Sequence, residues 1–172
     1  AAVNAESLIG RASQAGADDV AAEAALAAAE AWAEVGYPKA ASRNAERAYG
    51  LAAGERRWET ATRAAALAAE SLLEEGNLDG AEGWLRHADA SAERRGNQDA
   101  WPLLRARCRL ARRRPRDEAT SGFCRQSLDG AMTPHDRRVA ALDFASLLLD
   151  RGQSVEAGRR LQQLRAESVE AL

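Results

Sequence analysis

The sequence repeats itself with a period of 38 to 40 residues, and this repetition limits the possible folds more than any other feature. The copies are clearest at four short corners that each end in alanine, namely GYPKAA (36–41), GNLDGA (76–81), RPRDEA (114–119) and GQSVEA (152–157). Their closing alanines, Ala41, Ala81, Ala119 and Ala157, are separated by 40, 38 and 38 residues. A period in this range is typical of solenoids, in which each copy buries its apolar side against its neighbours.

Both flanks of each corner have the apolar spacing of an amphipathic helix. Four residues after the closing alanines come Ala45, Leu85, Phe123 and Leu161, and seven residues after them come Ala48, Ala88, Gln126 and Leu164. Twelve residues before them lie Ala29, Ala69, Arg107 and Ala145, and nine before lie Trp32, Leu72, Leu110 and Leu148. Small residues near the corner let two helices pack at about 8 Å, so each copy predicts an antiparallel helical hairpin.

A partial fifth copy precedes the four corners, because NAESLIGRAS (4–13) matches NAERAYGLAA (44–53) forty residues later. We therefore predict a single all-α domain over residues 1–172, with a half-repeat at 1–16 and repeats at 17–55, 56–96, 97–132 and 133–172. About nine helices are expected, near 3–14, 18–35, 38–53, 57–75, 78–95, 98–113, 116–130, 134–150 and 153–169.

The amino-acid composition favours helix and bears on the cellular compartment of the protein. Val, Ile and Thr are too sparse for a sheet protein, whereas alanine, leucine, glutamate and arginine favour helix. Only two cysteines, Cys108 and Cys124, are present, and we expect them to be free thiols in a reducing cytoplasm. No signal segment or membrane span is expected, and the excess of arginine over Lys39 is typical of high-GC bacterial coding. The sequence is expected to be part of a longer protein.

The repeat spacings resemble the tetratricopeptide repeat (TPR) family, with a small and a large residue in the first helix, a glycine corner, and alanines in the second helix. The match covers almost all of residues 18–170 and is best in LAAESLLEEGNLDGAEGWLRHA (67–88). It is weakest in the third repeat, where Arg107 and Arg114 replace the small residue and the glycine. The period exceeds the family's usual 34 residues. Such long hairpins resemble the helical-repeat regions of LuxR-type bacterial transcription activators and the scaffold regions beside caspase-like peptidase domains.

The resemblance implies a right-handed superhelix of helical hairpins whose concave groove binds a protein or peptide through the first helix of each repeat. It places in that groove Glu30, Glu34, Arg63, Glu70, Glu74, Trp101, Arg105, Cys108 and Arg112. Repeats one and two are then acidic in the groove and the third is basic. An alternative remains open, in which the glutamates only keep an exposed helix face hydrated.

Charge is unevenly distributed although the formal net charge is only −2. The basic maximum is LRARCRLARRRPR (104–116), which contains the Arg105–Arg116 cluster of seven arginines. This run has two interpretations. Arginine suits phosphate geometry and predicts nucleic-acid binding, but arginines in a last helical turn also complement the helix dipole. The second interpretation is favoured, because no aromatic residues alternate with the arginines to stack on bases.

Signatures of catalysis and of metal binding are absent from the sequence. His87 and His135 form no HExxH pair, and there is no CxxC pair, phosphate-binding loop or GxSxG turn. TPHD (133–136) predicts a helix start, with Thr133 as the cap and Pro134 in the first turn.

The sequence thus predicts a non-enzymatic, cytoplasmic protein–protein interaction scaffold without cofactors or metals. Its predicted partners are a protein, a peptide or other domains of the same polypeptide, and an uncapped end is a possible site of homodimerisation. The alternatives are a ligand-sensing region of a LuxR-type regulator and, less favoured, nucleic-acid binding. An affinity for nucleic acid that changes little with added salt would argue against nucleic-acid binding through the arginine cluster.

Overall fold

The structure is a computed structural model that describes residues 2–96, 100–113 and 119–170. All regular secondary structure in these residues is helical. The helices are α1 (Ala2–Gln14), α2 (Asp18–Glu34), α3 (Pro38–Gly54), α4 (Trp58–Glu74), α5 (Leu78–Arg95), α6 (Trp101–Arg113), α7 (Ala119–Asp129), α8 (Pro134–Asp150) and α9 (Ser154–Glu170). The all-α prediction is confirmed, and the testable helix ends lie within one residue of those predicted. The predicted starts at 98 and 116 lie outside the described residues.

Packing divides the chain into two compact units, unit 1 (Ala1–Ala106) and unit 2 (Arg107–Leu172). In unit 1, α1 packs on α2, α2 on α3, α3 on α4 and α4 on α5, and α2 also contacts α4. Because α2 and α4 are the first helices of two successive hairpins, this contact places two first helices side by side. In unit 2, α7 packs on α8 and α8 on α9.

The core of unit 1 is built mainly from alanine. Ala41, Ala45 and Ala48 on α3 and Ala29 on α2 have no exposed surface, as the repeat register predicts. Since alanine ends at Cβ, the helix backbones can approach closely, and one larger side chain such as that of Trp84 closes the remaining gap against Ala29, Ala45 and Ala68.

Glycines and capping side chains shape the corners between helices. Gly76 has a φ of 79°, in the left-handed region that glycine occupies without steric cost. The next residue, Asn77, caps α5 by accepting a hydrogen bond from the Gly80 amide at 3.0 Å. In unit 2, Thr133 caps α8 by accepting from the Asp136 amide at 3.0 Å, which confirms the predicted helix start.

The prediction of two free thiols is wrong. Cys108 on α6 and Cys124 on α7 form a disulfide, and neither residue has exposed surface. The two cysteines are 16 residues apart, with the third-repeat corner midway between them. Residues equidistant from the corner of an antiparallel hairpin lie opposite each other, which explains the pairing. The cytoplasmic prediction therefore loses the support that free thiols gave it.

Candidate functional site

One stripe of α2 is left open by the packing of unit 1. Its members follow one another at intervals of three or four residues, which places them on one side of the helix. In chain order they are Val20, Glu23, Ala27, Glu30 and Glu34, and each is exposed or half-buried. We call the surface formed by this stripe, by Asp19, by Arg57 at the start of α4 and by Arg63 on α4 the first-helix face of unit 1. It combines carboxylates with small apolar patches.

Ion pairs join α2 to α4 along this face. Arg63 donates to Glu30 at 2.8 Å, with 42% and 46% of the two side chains exposed. Nearer the N-terminal end of both helices, Arg57 reaches Asp19 at 3.4 Å and Glu23 at 3.5 Å. Because these pairs are so exposed, each contributes at most about 1 kcal/mol. Their main effect is to fix the positions of the carboxylates on the face.

A less exposed ion pair joins α4 to the first turns of α6, still within unit 1. Arg105 donates to Glu70 at 3.2 Å, and only 26% and 10% of the two side chains are exposed. The Arg105 guanidinium also lies 5.7 Å from the centre of the Trp101 ring. Trp101 is half-buried, and its indole Nε1 is buried without a hydrogen-bond partner among the described residues. The groove candidates Glu70 and Arg105 therefore also join α4 to α6.

The nine residues that the resemblance placed in one groove are divided between the two units. Seven of them lie in unit 1, whereas Cys108 and Arg112 lie in unit 2. Cys108 has no exposed surface and is tied into the disulfide, so its assignment to a partner-binding groove is corrected. Arg112 contacts Asp143 at 3.3 Å and Asp150 at 3.5 Å on α8.

Sequence reasoning missed Asp19, Arg57 and Val20 as parts of the first-helix face. A signal for such pairs is present in unit 2, where Arg112 and Asp150 are 38 residues apart, which is the local repeat period. Residues separated by one period occupy the same level of neighbouring repeats, so opposite charges at that separation predict an ion pair between repeats. Asp19 and Arg57 are also 38 residues apart, two fewer than the local period of 40.

Much of the arginine cluster has partners within the protein. Besides Arg105 and Arg112, the Arg107 guanidinium lies 5.2 Å from the centre of the Phe123 ring. Arg113 is exposed at the end of α6, and Arg114 and Arg116 lie outside the described residues. An arginine that is already paired must give up its partner before it can bind a phosphate, which weakens the nucleic-acid interpretation.

Comparison with known proteins supports the repeat fold. No family model matches the sequence, and no curated protein matches it. Among solved structures, the chain resembles nearly identical TPR-like repeats, solved in a substituted form, from a Podospora anserina protein described as a kinesin light chain. The two share 16% sequence identity with a TM-score of 0.59, over 98% of this chain and 94% of the other. This chain has a TPR-like fold.

A TPR-like fold is built from repeated antiparallel helical hairpins. Within the described segments, no group of His, Cys, Asp and Glu side chains is arranged to hold a metal ion. No helix in those segments has both the length and the apolar character that crossing a bilayer requires.

Proposed function

We propose that the chain is a non-enzymatic scaffold and that the first-helix face of unit 1 binds a protein segment that carries basic and small apolar residues. The observation behind this proposal is the α2 stripe, in which Val20 and Ala27 lie among Glu23, Glu30 and Glu34. An extended peptide could place Lys or Arg side chains at the carboxylates and small side chains between them. The partner segment would come from another protein or from another domain of the same polypeptide.

Glu34 makes the strongest single contribution to this expectation. It is exposed, lies one turn after Glu30 on the same side of α2, and has no partner among the described residues. Glu30 is paired with Arg63 but keeps 46% of its side chain exposed. A basic ligand therefore meets one carboxylate that is available at once and a second that is shared with an exposed arginine.

The length of the helix sets the length of the ligand. The 17 residues of α2 extend over roughly 25 Å, a distance that about eight extended peptide residues cover. The test uses a fluorescein-labelled peptide of about ten residues built from Lys, Val and Ala. A peptide with Glu in place of Lys serves as the charge-reversed comparison. Binding is measured by fluorescence anisotropy at low and at high salt.

Glu34→Lys is expected to weaken binding of the basic peptide about fivefold or more, because attraction is replaced by repulsion. The matched control is Glu93→Lys, which makes the same charge change at an exposed position on the second-helix side, on α5. That variant should bind like the wild type. Equal affinity for the two peptides, or equal losses in both variants, would refute the proposal.

A further inference from the structure

Unit 2 contains a cavity of about 300 Å³ between α7, α8 and α9, a volume at the lower end of the range for small-molecule sites. Its apolar wall consists of Leu128, Ala141, Phe144 and Leu164. Arginines from two helices, Arg137 on α8 and Arg160 on α9, add positive charge to that wall. None of these lining residues belongs to the first-helix face of unit 1.

The equivalent level of unit 1 is filled by aromatic side chains. Tyr49 on α3 packs edge-on against Trp84 on α5, with ring centres 5.3 Å apart. His87 completes the cluster, at 5.3 Å from the Tyr49 ring and 5.2 Å from the Trp84 ring. Trp84 also packs against Ala68 of α4, which closes this space.

The repeat register shows what replaces these rings in unit 2. Counted from the closing alanine of each corner, the equivalents of Tyr49, Trp84 and His87 are Ser127, Arg160 and Gln163. Counted from the small residue of the first helix, the equivalent of Ala68 is Phe144. One aromatic ring thus stands where unit 1 has three ring side chains. The lost volume accounts for the cavity, of which Arg160, Gln163 and Phe144 line the wall.

The charge of the cavity favours an anion. Arg160 is held by Glu156 at 3.2 Å, and its guanidinium lies 5.7 Å from the centre of the Phe144 ring. Arg137 is exposed and has no ionic partner among the residues that the structure describes. One carboxylate, Asp129, also lines the cavity. Because Glu156 already pairs with Arg160, the preference for an anion rests on Arg137, which is available to bind a ligand.

We propose that this cavity binds a small anion with an apolar body, such as an aromatic carboxylate. The apolar body contacts Phe144, Leu128 and Leu164, and the anionic group accepts hydrogen bonds from the Arg137 guanidinium. Arginine is suited to this role because its donors match a carboxylate in a planar, bidentate arrangement. No bond is made or broken, so the site is one of binding and not of reaction.

The test compares three probes that share one ring system and differ in charge: 2-naphthoate, 2-naphthalenemethanol and 2-naphthylmethylammonium. Each is titrated into the ¹⁵N-labelled 172-residue chain, and amide shifts are followed by NMR. Naphthoate is expected to bind with a Kd of about 1 mM or lower, the limit set by its small size. The alcohol should bind about tenfold more weakly and the ammonium compound more weakly still. Shifts should be concentrated in α7, α8 and α9.

Three variants separate the contribution of charge from that of space. Arg137→Ala should weaken naphthoate binding about tenfold and leave the affinity for the alcohol unchanged. Ala141→Leu fills part of the cavity and should weaken both probes. Arg138→Ala is the matched control, since Arg138 is an exposed arginine on the same helix that does not line the cavity, and it should change neither affinity. Circular dichroism confirms that each variant is folded.

Several results would overturn the proposal. They are equal binding of naphthoate and the alcohol, tighter binding of the ammonium compound, no binding of any probe, and unchanged naphthoate affinity in folded Arg137→Ala. Shifts that avoid α7, α8 and α9 would also overturn it. Each is distinguishable from failure of the peptide-binding proposal, because that proposal is tested in unit 1 with variants on α2.

Discussion

Arg56 occupies a backbone conformation that arginine rarely adopts. It lies between α3 and α4 with a φ of 56°, in the left-handed region. The equivalent positions forty residues before and after it are Gly16 and Gly96, with φ values of 69° and 74°. The repeat therefore requires a left-handed residue at this corner, and two of the three copies have glycine there. Replacing Arg56 with glycine should stabilise unit 1.

The size of the effect follows from two opposing costs. A non-glycine residue in the left-handed region costs roughly 1–2 kcal/mol, whereas the extra freedom of glycine in the unfolded chain costs roughly 0.5–1 kcal/mol. The Arg56 side chain is exposed and has no partner among the described residues, so its removal breaks no contact. We expect Arg56→Gly to raise the free energy of unfolding by about 0.5–1 kcal/mol and Tm by roughly 2–5 °C.

Tryptophan fluorescence during urea unfolding is the appropriate assay. Trp32, Trp58, Trp84 and Trp101 all lie in unit 1, so the signal reports that unit alone. The matched control is the reverse change, Gly96→Arg, which should destabilise unit 1 by a similar amount. A lower stability of Arg56→Gly would show that the estimated backbone cost is wrong. Equal stability of Gly96→Arg and wild type would do the same.

Three further changes test contacts within unit 2. Arg112→Ala should lower the free energy of unfolding by about 1–2 kcal/mol, because the poorly exposed Asp143 loses a partner. The matched control is Arg113→Ala, at an exposed site on the same helix, which should change the free energy of unfolding by less than about 0.5 kcal/mol. Reduction of the disulfide should cost about 3 kcal/mol, measured by urea unfolding followed by circular dichroism with and without dithiothreitol; the same midpoint in both would refute this. Thr133→Ala should cost about 1 kcal/mol in the same assay, and no loss would contradict the capping role.

The helices were predictable because their determinants are local. Apolar residues at a helical period, glycine at the corners and a capping threonine each act within a few residues. The repeat then adds independent copies of the same pattern. This is why the helix starting at Pro134 could be placed from the sequence, including the role of Thr133.

The disulfide illustrates a different kind of signal. Its pairing depends on the geometry of the hairpin, whereas the prediction of free thiols relied on cysteine number and on an assumed compartment. Cys108 and Cys124 lie at equal distances from the corner, a symmetry that predicts contact once the hairpin is accepted. A sequence pattern thus existed, but it had to be interpreted through the fold.

The candidate sites were less predictable, because they depend on side chains from several helices. Glu30 and Arg63, which the resemblance assigns to the groove, lie on neighbouring first helices and form an ion pair. It could not show that Cys108 is buried. The cavity of unit 2 depends on the combined loss of three rings, whose volume Phe144 only partly replaces. Such a volume becomes visible only when the packed helices are known.

Amide hydrogen exchange of the wild-type chain with and without the basic peptide tests most directly whether the first-helix face is the binding surface. If the peptide lies on this face, exchange should slow in α2 and in the adjacent part of α4, and added salt should abolish the effect. In the Glu34→Lys variant, the protection should be weaker at the same peptide concentration. Protection confined to α3 and α5, or no protection at saturating peptide, would contradict the proposed function.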